Sequence, residues 1–104
     1  MGTGSADRID VAGLVRFLLA RLDDDTAETR KLLRSHAQDP DIARLAARRG
    51  ADVDAKRQVI GALQQQLALR DLPHEQPVRT QAIGMLRALA RPYADHPGYR
   101  SEWA

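Results

Sequence analysis

The chain of 104 residues contains no cysteine and only four aromatic residues, Phe17, Tyr93, Tyr99 and Trp103. Without thiols it can form neither a disulfide framework nor a thiolate metal site. The three histidines, His36, His74 and His96, are not spaced one helical turn apart, as a helical histidine metal site would need. We therefore expect neither a bound metal nor a cofactor.

Long apolar runs are also missing, so the sequence predicts no membrane span. Residues 1–5 are small and polar and lack the hydrophobic region of a signal peptide. The net charge is only +2, although the pI is about 9.5 and fourteen of the sixteen basic residues are arginine. This balance falls short of the basic excess that is typical of nucleic-acid-binding domains. We expect a cytoplasmic protein.

Alanine and leucine, which favour helix, dominate the composition. Apolar residues recur with the helical period in three stretches, which predicts helices at about 10–36, 40–70 and 77–91. Asp10 and Asp39-Pro40 are suited to begin the first two helices, and Pro92 disfavours continuation of the third. The second helix is expected to pass through Gly50. Residues 1–8 are expected to be flexible, and residues 92–104 form a tail.

Each predicted helix carries one apolar stripe, and such stripes must be buried against one another. The fold is therefore predicted to be all-α, a three-helix antiparallel bundle with a short aromatic C-terminal capping segment, forming a single domain over residues 1–104. The stripe residues are Val11, Leu14, Val15, Leu18, Leu22, Leu32 and Leu33 in the first helix, Ile42, Leu45, Ala46, Val53, Ile60, Leu63 and Leu67 in the second, and Val78, Ala82, Met85, Leu86 and Leu89 in the third.

The aromatic tail is the most distinctive part of the chain. Aromatic rings bury large areas, so the tail either closes the core, covering Phe17 or Val59, or docks on a partner. Aromatic residues and arginine are the types that anchor protein interfaces, and the off-stripe residues Phe17 and Leu69 could join the aromatic tail in such a surface. The interface candidates are Phe17, Leu69, Tyr93, His96, Tyr99 and Trp103.

Two charged clusters suggest alternative chemistry. A basic ridge on the second helix could follow a phosphate backbone, although acidic residues interrupt it and no aromatic side chains interleave for base stacking. An acidic turn on the first helix could hold Mg²⁺, but a hydrolase needs a second carboxylate pair on a facing helix. No residue is proposed as catalytic. The nucleic-acid candidates are Arg44, Arg48, Arg49, Lys56 and Arg57, and the metal candidates are Asp24, Asp25 and Glu28.

Three segments, residues 14–25, 54–60 and 86–103, resemble a family of small uncharacterised proteins of actinobacteria and of their phages and mobile elements. The most specific of them is Pro-Tyr-Ala-Asp-His-Pro-x-Tyr-Arg-x-x-Trp at residues 92–103. Many members of that family carry a tryptophan- and glycine-rich insertion after the first helix and cysteines before the last one, and this chain has neither. The resemblance implies a domain of unknown function and supplies no activity.

Together these patterns indicate a non-enzymatic module for protein–protein interaction or self-association. Its expected partner is another protein or a second copy of the chain. We do not expect it to bind a membrane. A nucleic-acid-associated accessory factor that uses the basic ridge is the alternative. A magnesium-dependent hydrolase that uses the acidic turn is a third, less favoured interpretation.

Overall fold

The computed structural model describes residues 10–68 and 76–104, which form three α-helices: α1 (Val11–Ser35), α2 (Pro40–Leu67) and α3 (Gln76–Ala90). Two 3₁₀ turns follow, Arg91–Tyr93 and Ser101–Trp103. No strand occurs in these residues, and the three helices pack against one another, which confirms the predicted all-α three-helix bundle. The predictions for residues 1–8 and for a helix end at residue 70 concern residues outside the described ranges.

The predicted capping residues begin the first two helices. One carboxylate oxygen of Asp10 accepts a hydrogen bond from the Gly13 amide at 2.8 Å. In α2, the Asp39 carboxylate accepts from the amide of Asp41 at 3.0 Å, and Pro40 occupies the first turn. Each contact satisfies a backbone donor that has no partner inside the helix. The prediction that the second helix continues through Gly50 is also confirmed.

The core lies where all three helices meet. Leu14, Leu18 and Leu22 project from α1, and these three side chains are almost fully buried. They pack with α2 residues spaced along one helical face and with small or branched residues of α3. From α2 and α3 the buried members of this cluster are Val53, Ile60, Leu63, Leu67, Ala82, Leu86 and Ala90.

The molecule is elongated, because α3 covers only part of the hairpin that α1 and α2 form. Its Cα extents are 58 × 27 × 15 Å and its radius of gyration is 16.8 Å, whereas a compact chain of this length has about 13 Å. Ion pairs of Arg57 with Asp23 and of Arg49 with Glu28 show that α1 and α2 run antiparallel.

We call residues 26–52 the distal hairpin. Within it only Thr29 and Ala46 are buried, and both are too small to build a core.

Three stripe assignments were wrong, because Leu33, Leu45 and Met85 are 38%, 60% and 45% exposed. Leu33 and Leu45 lie in the distal hairpin, where α3 does not reach to cover the continuing stripe and no other described helix does so. Met85 lies next to the buried Leu86 in sequence, but the face it occupies on α3 is turned toward water. Val59 is 39% exposed, and the ring contacts of the tail are made to Phe17 and within the tail itself.

None of the helices in residues 10–68 and 76–104 combines the length and apolar content needed to cross a membrane.

Substitution by alanine is expected to change the stability of the fold in opposite directions at two helical glycines. A methyl group at Gly50 would meet no neighbouring atom, so Gly50→Ala should stabilise the fold by about 0.5–1 kcal/mol through its better helix propensity. A methyl group at Gly13 would overlap the Asp10 carboxylate. Gly13→Ala should therefore disrupt the cap and cost about 1 kcal/mol. Urea unfolding of both variants measures the difference, and equal shifts would contradict the cap assignment.

Candidate functional site

The tail packs around Phe17, the single phenylalanine of the chain. The centroid of its ring lies 5.2 Å from that of Trp103, 6.0 Å from that of Tyr99 and 6.3 Å from that of Tyr93. The two tyrosines approach edge-on, an arrangement that aromatic quadrupoles favour. Phe17 is 8% and Trp103 only 2% exposed. We call Phe17, Tyr93, His96, Tyr99 and Trp103 the aromatic closure.

A series of tight turns brings the tail back onto α1. Pro92 converts the end of α3 into the 3₁₀ turn Arg91–Tyr93. The His96 amide then donates to the Tyr93 carbonyl, and the Tyr99 amide donates to the His96 carbonyl, both at 2.9 Å. The second 3₁₀ turn places Trp103 beside Tyr99, with ring centroids 5.7 Å apart. Near the chain end, Arg100 pairs with the capping residue Asp10 at 3.3 Å.

Arg21, which is not among the predicted interface residues, joins the tail to α1. Its guanidinium carbon lies 5.2 Å from the Phe17 ring centroid, within cation–π range. The same side chain pairs with Asp24 at 3.1 Å and contacts the imidazole of His96. The available signal was its position four residues after Phe17, which puts both on one helical face.

Tyr93 and Asp25 form the polar link between the tail and α1. The Tyr93 hydroxyl donates to the Asp25 carboxylate at 2.7 Å. Burial of the phenol and this hydrogen bond to a carboxylate together raise the pKa of Tyr93 to about 12. The neutral phenol is therefore the form that the folded protein retains.

The three metal candidates do not converge. Asp24 pairs with Arg21, Asp25 accepts from Tyr93, and Glu28 pairs with Arg49 at 3.6 Å. No group of three or more His, Asp or Glu side chains within residues 10–68 and 76–104 is arranged to hold a metal ion. Asp24 is thus engaged within α1, whereas Asp25 joins α1 to the tail and Glu28 joins it to α2.

Four of the five nucleic-acid candidates are paired with carboxylates. Two of them bridge to the acidic turn of α1, where Arg49 meets Glu28 and Arg57 meets Asp23. Such pairs on an exposed surface stabilise the fold little, but they reduce the positive charge that a phosphate backbone would meet. The remaining pairs are formed within α2, Arg44 with Asp41, Lys56 with Asp52 and Arg57 with Asp54.

The interface candidates divide between the core and the surface. Phe17 and Trp103 are buried, which favours a role in closing the core. Tyr93 and Tyr99 are half-buried and His96 is exposed. Leu69 lies outside the described residues.

A second apolar region, missed at the sequence level, surrounds Leu45 on the distal hairpin. On one side of Leu45 an open hollow of about 470 Å³ is lined by Leu32, Ala46, Arg48, Arg49 and Asp52. On the other side a hollow of about 360 Å³ is lined by Asp41, Arg44 and Arg48. Leu45 itself lines both hollows and so lies at the border that they share.

Truncation of Trp103 should separate ring packing from hydrogen bonding. The buried Trp103 Nε1–H has no acceptor among the described residues, so the indole contributes through its contact area. Trp103→Ala should cost about 3–5 kcal/mol and Trp103→Phe clearly less, because phenylalanine keeps most of the ring contact. Thermal and urea unfolding measure both. Equal losses, or no loss with alanine, would contradict the packing role of the ring.

Tyr93→Phe should remove the link to Asp25 and lower stability by about 1 kcal/mol at neutral pH. The unfolded tyrosine loses its proton near pH 10, whereas the folded one keeps it up to about pH 12. The stabilisation is thus complete below pH 10 and is lost as pH rises to about 12. The difference in unfolding free energy between wild type and Tyr93→Phe should shrink over that interval. A difference that does not change with pH would contradict the assignment.

Comparison with known proteins adds a family but no activity. The profile of the "Family of unknown function (DUF6221)" matches residues 11–104, which include all three helices and the aromatic closure. No curated protein and no solved structure is significantly similar to the chain. On the extent of this match, the chain belongs to the Family of unknown function (DUF6221).

Proposed function

We propose that the protein is a non-enzymatic module that acts by binding another protein, most simply a second copy of itself. The observation that carries the proposal is the exposure of Leu45 on the distal hairpin, which no third helix covers among the described residues. An exposed apolar side chain such as Leu45 gains free energy when a partner removes it from water. The aromatic closure, by contrast, supports the scaffold that holds this hairpin.

The chemistry of the described surface supports binding more than catalysis. The hollow between α1, α2 and α3 is lined by Val11, Val15, Leu19 and Leu67 together with arginine and glutamine side chains. Carboxylates near the other hollows are engaged with arginine or lysine. A nucleophile beside a general base, or two facing carboxylate pairs, would be needed for the reactions considered from the sequence.

As part of the same proposal, the likeness of residues 92–103 to actinobacterial and phage proteins supports such a host. The small, polar residues 1–5, which lack the hydrophobic region of a signal peptide, support a cytoplasmic setting. The nucleic-acid alternative receives less support, because the basic ridge is largely paired with carboxylates of its own chain.

Affinity purification from the native host with three baits tests the proposed function. Wild type and Met85→Glu should retain the same partner, including untagged copies of the chain, and Leu45→Glu should lose it. Met85 is the matched control, because it is also a large exposed apolar residue but lies on α3. A partner set that is identical for all three baits would contradict the proposal. Retention of nucleic acid that falls steeply with salt would favour the alternative.

A further inference from the structure

The geometry points to a second copy of this chain as the occupant of the distal hairpin, bound in an antiparallel two-fold contact centred on Leu45. This inference rests on the proposed function and names its partner. The distal hairpin is two helices thick, and Leu45 is 60% exposed on it. The tail contacts α1 at Phe17, Arg21 and Asp25, which all precede the distal hairpin in sequence. These contacts of the tail therefore leave the surface around Leu45 uncovered.

The shape around Leu45 is complementary to itself. In a two-fold contact each copy presents the same patch, so a projection must lie beside a depression that can receive it. Leu45 is the exposed side chain, and the hollow that it borders together with Leu32 and Ala46 is the depression. The Leu45 side chain of one copy can enter this hollow on the other, in the way that knobs enter holes between packed helices.

The charges around Leu45 select the antiparallel arrangement. Asp41, Leu45 and Arg48 are spaced i, i+4 and i+7 and so lie on one face of α2. With about 1.5 Å of rise per residue, Asp41 is about 6 Å before Leu45 and Arg48 about 4.5 Å after it. When two such helices cross antiparallel at Leu45, Asp41 of each copy therefore lies opposite Arg48 of the other. A parallel arrangement would instead place like charges together, which is unfavourable.

Asp41 has the capacity for this second contact. Its Oδ1 atom pairs with Arg44 of the same chain, and a carboxylate has a second oxygen that can accept from another guanidinium. The side chains of Asp41 and Arg44 are 80% and 78% exposed, so a partner can reach them without rearrangement of the fold.

A charge exchange tests the contact directly by analytical ultracentrifugation over a concentration series at low salt. Asp41→Arg and Arg48→Asp should each raise the dissociation constant of the dimer about tenfold or more, because each replaces two attractions by two repulsions. An equimolar mixture of the two variants should recover tight association as a heterodimer. In that heterodimer the arginine introduced at position 41 of one chain faces the aspartate introduced at position 48 of the other. Leu45→Glu should abolish dimerisation, and Met85→Glu should leave it unchanged.

Thermal unfolding of each variant controls for folding, and Leu45→Glu tests the contact independently should either charge variant be unstable. A wild-type chain that stays monomeric at all concentrations would overturn the inference, as would a mixture that associates no better than its components. If the chain is monomeric but a different protein is lost from the Leu45→Glu bait, the proposed function stands without the second copy. If neither association occurs, both fail.

Discussion

The packing of the tail against Phe17 is the constraint on which the rest of the structure depends. Phe17 lies one position before Leu18, a side chain that the three-helix core buries almost completely. Without the tail, the Phe17 ring would face water on the outer side of α1. Trp103, Tyr99 and Tyr93 cover it, and Arg21 and Asp25 fix the tail through polar contacts on the same helix. Trp103 thus belongs to the core, Tyr93 and Tyr99 pack against it, and the tail connects α3 to α1.

The packing of the tail on α1 also determines which part of the molecule stays exposed to solvent. Because α3 ends at Ala90 and Pro92 turns the chain, the tail passes back along α1 toward Asp10, which Arg100 reaches. Among the described residues, α3 and the tail therefore add no third layer over residues 26–52. The ion pair that joins the two helices there, Arg49 with Glu28, lies between exposed side chains and contributes little. The path of the tail therefore accounts both for the aromatic-rich end of the molecule and for the exposed distal hairpin. In the proposed function, the aromatic closure supports the helices that present the distal hairpin to a partner.

The features that depend on local spacing were predicted correctly from the sequence. The caps at Asp10 and Asp39 and the passage of α2 through Gly50 each follow from neighbouring residues. The errors at Leu33 and Leu45 have a different origin, because the length of hairpin that α3 covers depends on tertiary register. Arg21 was indistinguishable by type from the other arginines. The Tyr93–Asp25 bond joins residues 68 positions apart, so no local pattern indicates it.

Native-state hydrogen exchange tests most directly whether the tail and the core form one cooperative unit. The amide of Trp103 donates to the Arg100 carbonyl, and that of His96 donates to the Tyr93 carbonyl. If the closure is integral, these amides should open with free energies close to those of Phe17 and Leu18 in α1. Amides of the distal hairpin should exchange sooner at protein concentrations too low for association. Tail amides that exchange at the rates of an unstructured peptide, while Phe17 and Leu18 stay protected, would contradict this account.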